Sequence, residues 1–207
     1  MLPPKTPPTD PSTIRTHADE HTAKPLHAGD VVLPSIIIDE KGEVPDDGVK
    51  FINIYDFGNS ELGRMLSPIT HMPFVHPVYG SFQTLQGFWE WIKSEERPDA
   101  IRYVSGKQAV HIGRGLTKIY LANFQELIVQ ANFCRIDQNE RLRKEFLLSS
   151  LPFEMYYIRN PGTKDAIAIR PSNREIIVQA TQQVRDLMWH GNVPEGFEAY
   201  VRPPVAR

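Results

Sequence analysis

The sequence predicts a single α+β domain, mostly helical, with a few short antiparallel strands. Apolar residues recur at helical spacing in four separate stretches. Only short β-branched runs bounded by turn residues lie between and around them. The chain has 207 residues and is 41% hydrophobic and 23% charged, which suits one globular domain.

Residues 1–30 hold the run PPKTPP followed by Asp, Ser, Thr and His. Such a stretch cannot bury enough apolar surface to offset its ordering entropy, so a disordered or loosely docked arm is expected there. Residues 1–50 carry five Lys/Arg against nine Asp/Glu, and residues 51–207 carry 18 against 16. The arm therefore reads as acidic beside a slightly basic body, and its prolines suit a protein partner. The single domain is expected over 31–200, followed by an irregular tail, 201–207.

Val31-Val32-Leu33 and Ile36-Ile37-Ile38 read as edge-strand material around Pro34. GEVPDDG (42–48) reads as a turn, and Phe51–Tyr55 as a strand. Leu85, Phe88, Trp89 and Ile92 mark one face of a helix over 83–95, capped by Thr84 or Ser81. Pro98 suits the first turn of a short helix, 98–105, which Gly106 stops, and a second segment spans 107–113. Phe124, Leu127, Ile128 and Ala131 mark a helix over 122–135, with Asn123 and Glu126 as a capping box. Asp137 or Asn139 starts the next helix, with Leu142, Phe146 and Leu148 on its buried face and Pro152 as its stop. Met155–Ile158 and Ala166–Ile169 read as strands joined by a turn-rich link. Ser172 and Glu175 suggest another capping box, ahead of a long helix with Ile176, Ala180, Val184 and Leu187 facing inward.

Several function classes are excluded or disfavoured. No GxxxxGK[ST] loop, GxGxxG after a strand, HExxH or GxSxG occurs. A transmembrane helix is excluded by the absence of a long apolar run, so no membrane role is expected. Cys134 is the sole cysteine, and it reads as a packed core thiol. A reducing, cytoplasmic setting is expected, with no cofactor and no metal. His17 and His21 have helical spacing but sit in the arm, where a solvated tail is the better account. The net charge of -2 provides no global basic field for nucleic acid.

The unusual segment is Gly80–Trp91, GSFQTLQGFWEW. Gln86 and Glu90 lie one helical turn apart and share a face. Two readings stay open. A polar pair beside Trp89 and Trp91 can hold a flat heterocycle and supply a carboxylate for general-base or electrostatic catalysis. Otherwise Trp89 belongs to the core stripe, and Glu90 and Lys93 face solvent. Residues 97–118 carry five Lys/Arg, including Lys107, Arg114 and Lys118, against Asp99 alone. This stretch reads either as a phosphate-binding cluster or as a solvated face.

Leu66-Ser67-Pro68-Ile69, Gly80–Trp89, Ala109–Arg114 and Arg135-Ile136-Asp137-Gln138-Asn139 occur in that order. Together, over about residues 51–158, they resemble the NADAR superfamily of N-glycosidases, and most of all its phage-encoded branch. The resemblance implies a NADAR-like single domain. It also implies cleavage of an N-glycosidic bond in ADP-ribose conjugates, including ADP-ribosylated guanine in DNA, or in phosphorylated ribosyl heterocycles; a DNA-base glycosylase is a related possibility. The family's motif glutamate falls on Gln86, its Asn on Pro68, its Lys on Val110, and a downstream Trp near Tyr120; its late Asp-x-x-Trp-Gly element is not found. Glu90 is then the substitute carboxylate beside Gln86, with Arg64, Ser67, Trp89, Lys107, Arg114 and Tyr120 as the substrate-binding set. The alternative is a catalytically degenerate nucleotide sensor or protein-interaction module on the same scaffold.

Overall fold

The computed structural model describes residues 28–39, 43–160, 163 and 165–200. Most of the Pro-rich arm, His17, His21 and the tail 201–207 lie outside the described residues. The described part is an α+β domain of six helices and seven short strands.

Strand β1 (Val31–Val32) lies at the edge of a three-stranded antiparallel sheet, next to β7 (Ile167–Arg170) and then β6 (Tyr157–Arg159). Both residues of β1 are exposed, as an edge strand tolerates. Ile36–Ile38 form no strand. A small cluster of Leu33, Val44, Tyr156 and Ala168 packs under this sheet. Asp46 and Asp47 belong to folded structure rather than to an acidic arm. Asp46 pairs with Lys50 at 3.1 Å, and buried Asp47 accepts from the N–H groups of Asn53 and Asn59.

Strand β2 (Ile52–Asn53) pairs with β5 (Phe153–Glu154). This pairing is parallel, where only antiparallel strands were expected; about a hundred residues of intervening chain form the crossover. Helix α1 (Glu61–Leu66) has no counterpart among the sequence expectations, because six residues are too few for a periodic signal. Ser60 caps it by accepting from the Gly63 N–H at 3.1 Å. Gly63 is required there: a Cβ would sit 2.1 Å from the Asn53 carbonyl oxygen of β2.

A hairpin of β3 (Phe74–His76) and β4 (Gly80–Phe82) leads into helix α2 (Leu85–Ile92). Thr84 is the cap, accepting from the Gly87 N–H at 2.9 Å. A 3-10 turn, Asp99–Arg102, follows with Pro98 as its N-cap rather than within its first turn. Helix α3 (Gly106–Gly113) starts at the glycine expected to stop the preceding helix, because Ser105 and Gln108 form a capping box there.

Helix α4 (Phe124–Gln138) is followed by α5 (Glu140–Leu148) and, after the sheet, α6 (Arg174–Trp189). The capping boxes expected at Asn123 and at Ser172 do not form; Asn123 and Asn173 are the caps and neither side chain bonds the helix. Leu142 and Phe146 are fully buried, whereas Leu148, at the C-terminal end of α5, is 72% exposed. Helix α4 packs against α2, α5, α6 and β3. It is buried on nearly every side from Leu127 to Ile136, so its sequence carries little amphipathic signature. No described helix is long and apolar enough to cross a membrane.

Candidate functional site

The site is built on α2. The first turn of any helix has N–H groups without intrahelical partners. Here the Gln86 N–H donates to the Pro68 carbonyl at 2.8 Å. The Leu66–Ile69 segment is thereby fastened to the helix that carries Gln86 and Glu90. Gly87 allows α2 to lie against the 3-10 turn, since a Cβ there would be 3.0 Å from the Ile101 carbonyl oxygen.

Glu90 does not face bulk solvent. Its side chain is only 9% exposed. The Gln86 Nε2 donates to its Oε1 at 2.8 Å, and the Lys118 Nζ donates to its Oε2 at 2.9 Å. Lys93, one turn on, places its Nζ 3.5 Å from Oε1. The cover over this face comes from Gly113, where a Cβ would stand 2.4 Å from the Glu90 Oε2. The expectation of a solvent-facing Glu90–Lys93 pair is therefore corrected: the end of α3 and the segment after it close over the polar side of α2. Burial pushes the Lys93 ammonium below its ordinary pKa, with Glu90 opposing and Lys118 adding to the fall.

The segment 117–119 reaches Glu90 because it is laced to the end of α2. The Glu95 N–H donates to the Thr117 carbonyl at 3.0 Å and the Ile119 N–H to the Lys93 carbonyl at 2.9 Å. The Glu96 carboxylate accepts the Thr117 N–H at 3.0 Å. Between these anchors Lys118 points inward and also donates to the Gly113 carbonyl at 2.5 Å.

The remaining candidate residues stand in different surroundings. Trp89 is buried in the core, edge-on to Phe124 at 4.7 Å, with the Lys93 ammonium 5.3 Å from its ring centroid. Arg64 donates to the carbonyls of Gly58 and Asn59 at 2.8 and 2.7 Å, fixing that loop. Lys107 sits 3.9 Å from Asp56 and over the Phe57 ring. Ser67 is buried, and its carbonyl accepts from Arg135 and from the Thr70 N–H. Arg114 is exposed, directly follows Gly113, and has no side-chain partner among the described residues. Tyr120 is 91% exposed, two residues beyond Lys118.

Lys93 and Gly113 were not among the candidates. The i, i+3 spacing of Glu90 and Lys93 was the available signal for the first. A glycine ending a helix ahead of a basic segment was a faint one for the second. The Arg135–Asn139 segment acts as a clamp on the strand side of the site. Arg135, with no exposed surface, donates to the carbonyls of Ser67 and Leu66 at 3.0 and 2.8 Å and to Asn132. Burial pushes its pKa down to about 9. Gln138 bonds both the N–H and the carbonyl of Val75, and Asn139 bonds the Pro73 carbonyl.

No protein-family model matches the chain, and a search of the curated proteins finds no match. Among solved structures it is similar to the NMR structure of the E. coli protein YbiA, a NADAR protein, with a TM-score of 0.51 and 17% identity over 69% of this chain and 86% of that one. The fold is NADAR-like.

Within this NADAR-like fold the residues permit two kinds of chemistry. A buried carboxylate held by a carboxamide can stabilise positive charge developing on a sugar. The two partly exposed ammoniums at Glu90 can hold an anion. Among the described residues no group of three or more His, Cys, Asp or Glu is placed to hold a metal ion. Burial raises the Cys134 thiol pKa well above its ordinary value, which leaves it unreactive.

Proposed function

We propose that the protein is an N-glycosidase acting on a base–ribose or ADP-ribose N-glycosidic bond, with modified DNA or a nucleotide conjugate as its substrate. The observation that carries this reading is the buried Glu90 carboxylate oriented by Gln86 on a NADAR-like scaffold. Cleavage of such a bond builds positive charge on the sugar, and a fixed anion lowers that barrier. Gln86 has no acid–base function of its own, so it serves as the orienting group. Arg114 and Lys107 supply positive charge for a phosphate, and Tyr120 an exposed ring for a base.

A second reading is favoured by one observation. Both oxygens of Glu90 face lysine ammoniums, an arrangement that suits a nucleotide-binding module without turnover. The test is single-turnover incubation of wild type and Glu90→Gln with ADP-ribosylated and base-modified DNA, followed by mass analysis of released base or sugar. The hydrolase reading expects release by the wild type and a loss of at least about a hundredfold in the variant. Binding without release by either protein establishes the module.

A further inference from the structure

The Glu90 cluster contains more positive charge than its carboxylate neutralises. Lys93 and Lys118 both face Glu90, and Arg114, the next residue after Gly113, has no side-chain partner among the described residues. Of the nearby acids, Glu95 and Glu96 are exposed; Glu96 accepts the Thr117 N–H and attracts Lys118 through space without forming an ion pair with it. Exposure is graded through the cluster. The side chains of Lys118 and Lys93 are 42% and 28% exposed, against 9% for Glu90. The ammoniums are thus reachable from solvent, and the carboxylate lies behind them.

The backbone that carries Lys118 does not depend on its contact with Glu90. Its neighbours Thr117 and Ile119 are fastened by main-chain bonds to Glu95 and Lys93. The lysine stem has four rotatable carbons, so the ammonium can change partner without moving the segment. A partly exposed ion pair of this kind is weak, and a multiply charged anion competes for it effectively.

We propose that Lys93 and Lys118 form an anion subsite for which Glu90 and a phosphate-bearing ligand compete, so that docking of the phosphate takes Lys118 from Glu90 and frees the carboxylate. Arg114, exposed and directly after Gly113, contributes a third cation. This deepens the proposed function and rests on its phosphate-bearing ligand: the ligand itself unmasks the group that would act on it. Only partners change; no covalent bond is made or broken.

The proposal demands that removing the negative charge of the buried carboxylate tightens anion binding and that the Lys118 ammonium changes its surroundings when the anion docks. Inorganic pyrophosphate and ADP are titrated calorimetrically at low salt into wild type, Glu90→Gln and Lys118→Gln, each checked for folding by its thermal midpoint. Glu90→Gln is expected to bind about two- to fivefold more tightly, because no carboxylate competes, and Lys118→Gln about fivefold more weakly. The Lys118 ammonium resonance of wild type is expected to shift on titration. ADP following the same pattern assigns a nucleotide phosphate, and pyrophosphate alone assigns a free anion; both support the subsite. Unchanged or weaker binding by a folded Glu90→Gln overturns the competition. If that variant does not fold, an unmoved Lys118 resonance overturns it. Failure of the hydrolase reading is seen separately, as absence of released base, and leaves these binding results standing.

Discussion

The two long sides of α2 are both buried, but by different means. On one side Phe88 has no exposed surface and meets Phe74, Phe82, His76 and Tyr79. The rings of Phe88 and His76 are nearly parallel, 14° apart with centroids 5.3 Å apart. On the other side Gln86, Glu90 and Lys93 meet Gly113 and Lys118. The aromatic side is held by area and shape, which tolerate no truncation. The polar side is held by charge that is satisfied group by group and partly open to water. A helix whose two faces differ in this way anchors a core and presents a site at once.

The largest effect is expected on the aromatic side. Phe88→Ala removes a ring with no exposure and leaves a cavity lined by other rings, at a cost of about 3–5 kcal/mol. Urea unfolding at neutral pH measures this. A loss below about 1 kcal/mol would mean that the hairpin and Phe197 collapse into the space, and that this side is softer than its packing indicates.

That face was legible in the sequence because Leu85, Phe88 and Ile92 announce themselves by local spacing. The polar face was not. Its cover is Gly113 and Lys118, 23 and 28 positions beyond Glu90, and no local period reports a contact at that range. The same reason hid α1 and β5, whose few residues are fixed by partners across the domain rather than by their own pattern. The Arg135–Asn139 segment was noticed as a motif. Its work, bonding carbonyls between Leu66 and Val75, emerged only with the fold. The Gln86–Glu90 pair was legible as a shared face, and its burial was not.

A second effect, somewhat smaller, separates the aromatic side from the polar one by pH. His76 is 1% exposed and its Nδ1 accepts from the N–H groups of Val78 and Tyr79 at 3.2 and 3.4 Å. Burial pushes its pKa down to about 4, against which the Gln130 side chain acts weakly. The unfolded chain takes up this proton near the ordinary value, so between about pH 6.5 and 4 the unfolded state binds more protons. Stability from neutral His76 is complete above that window and is lost as pH falls through it, by about 3 kcal/mol. His76→Phe keeps a ring against Phe88 and removes the titration. The variant's unfolding free energy is expected to fall less steeply than that of wild type between pH 6.5 and 4. Parallel pH profiles for the two proteins would remove His76 from the acid response.

The smallest effect tests whether the polar side is as closely fitted as the aromatic one. Gly113 ends α3 with ordinary backbone geometry, so alanine there carries no conformational strain of its own. At the end of a helix, Gly→Ala is otherwise neutral or stabilising by up to about 1 kcal/mol. The added Cβ, however, would lie 2.4 Å from the Glu90 Oε2 and 2.8 Å from its Cδ. Glu90 must then move, and with it go the bonds from Gln86 and Lys118. Gly113→Ala is expected to destabilise the protein by about 1 kcal/mol. The cause is isolated by repeating the substitution in a Glu90→Ala background, where the new methyl meets no carboxylate. There the cost should vanish or change sign, an interaction energy that a double-mutant cycle reads directly. Equal costs in both backgrounds would show that the methyl strains the α3 backbone instead, and that the polar side of α2 has room the aromatic side lacks.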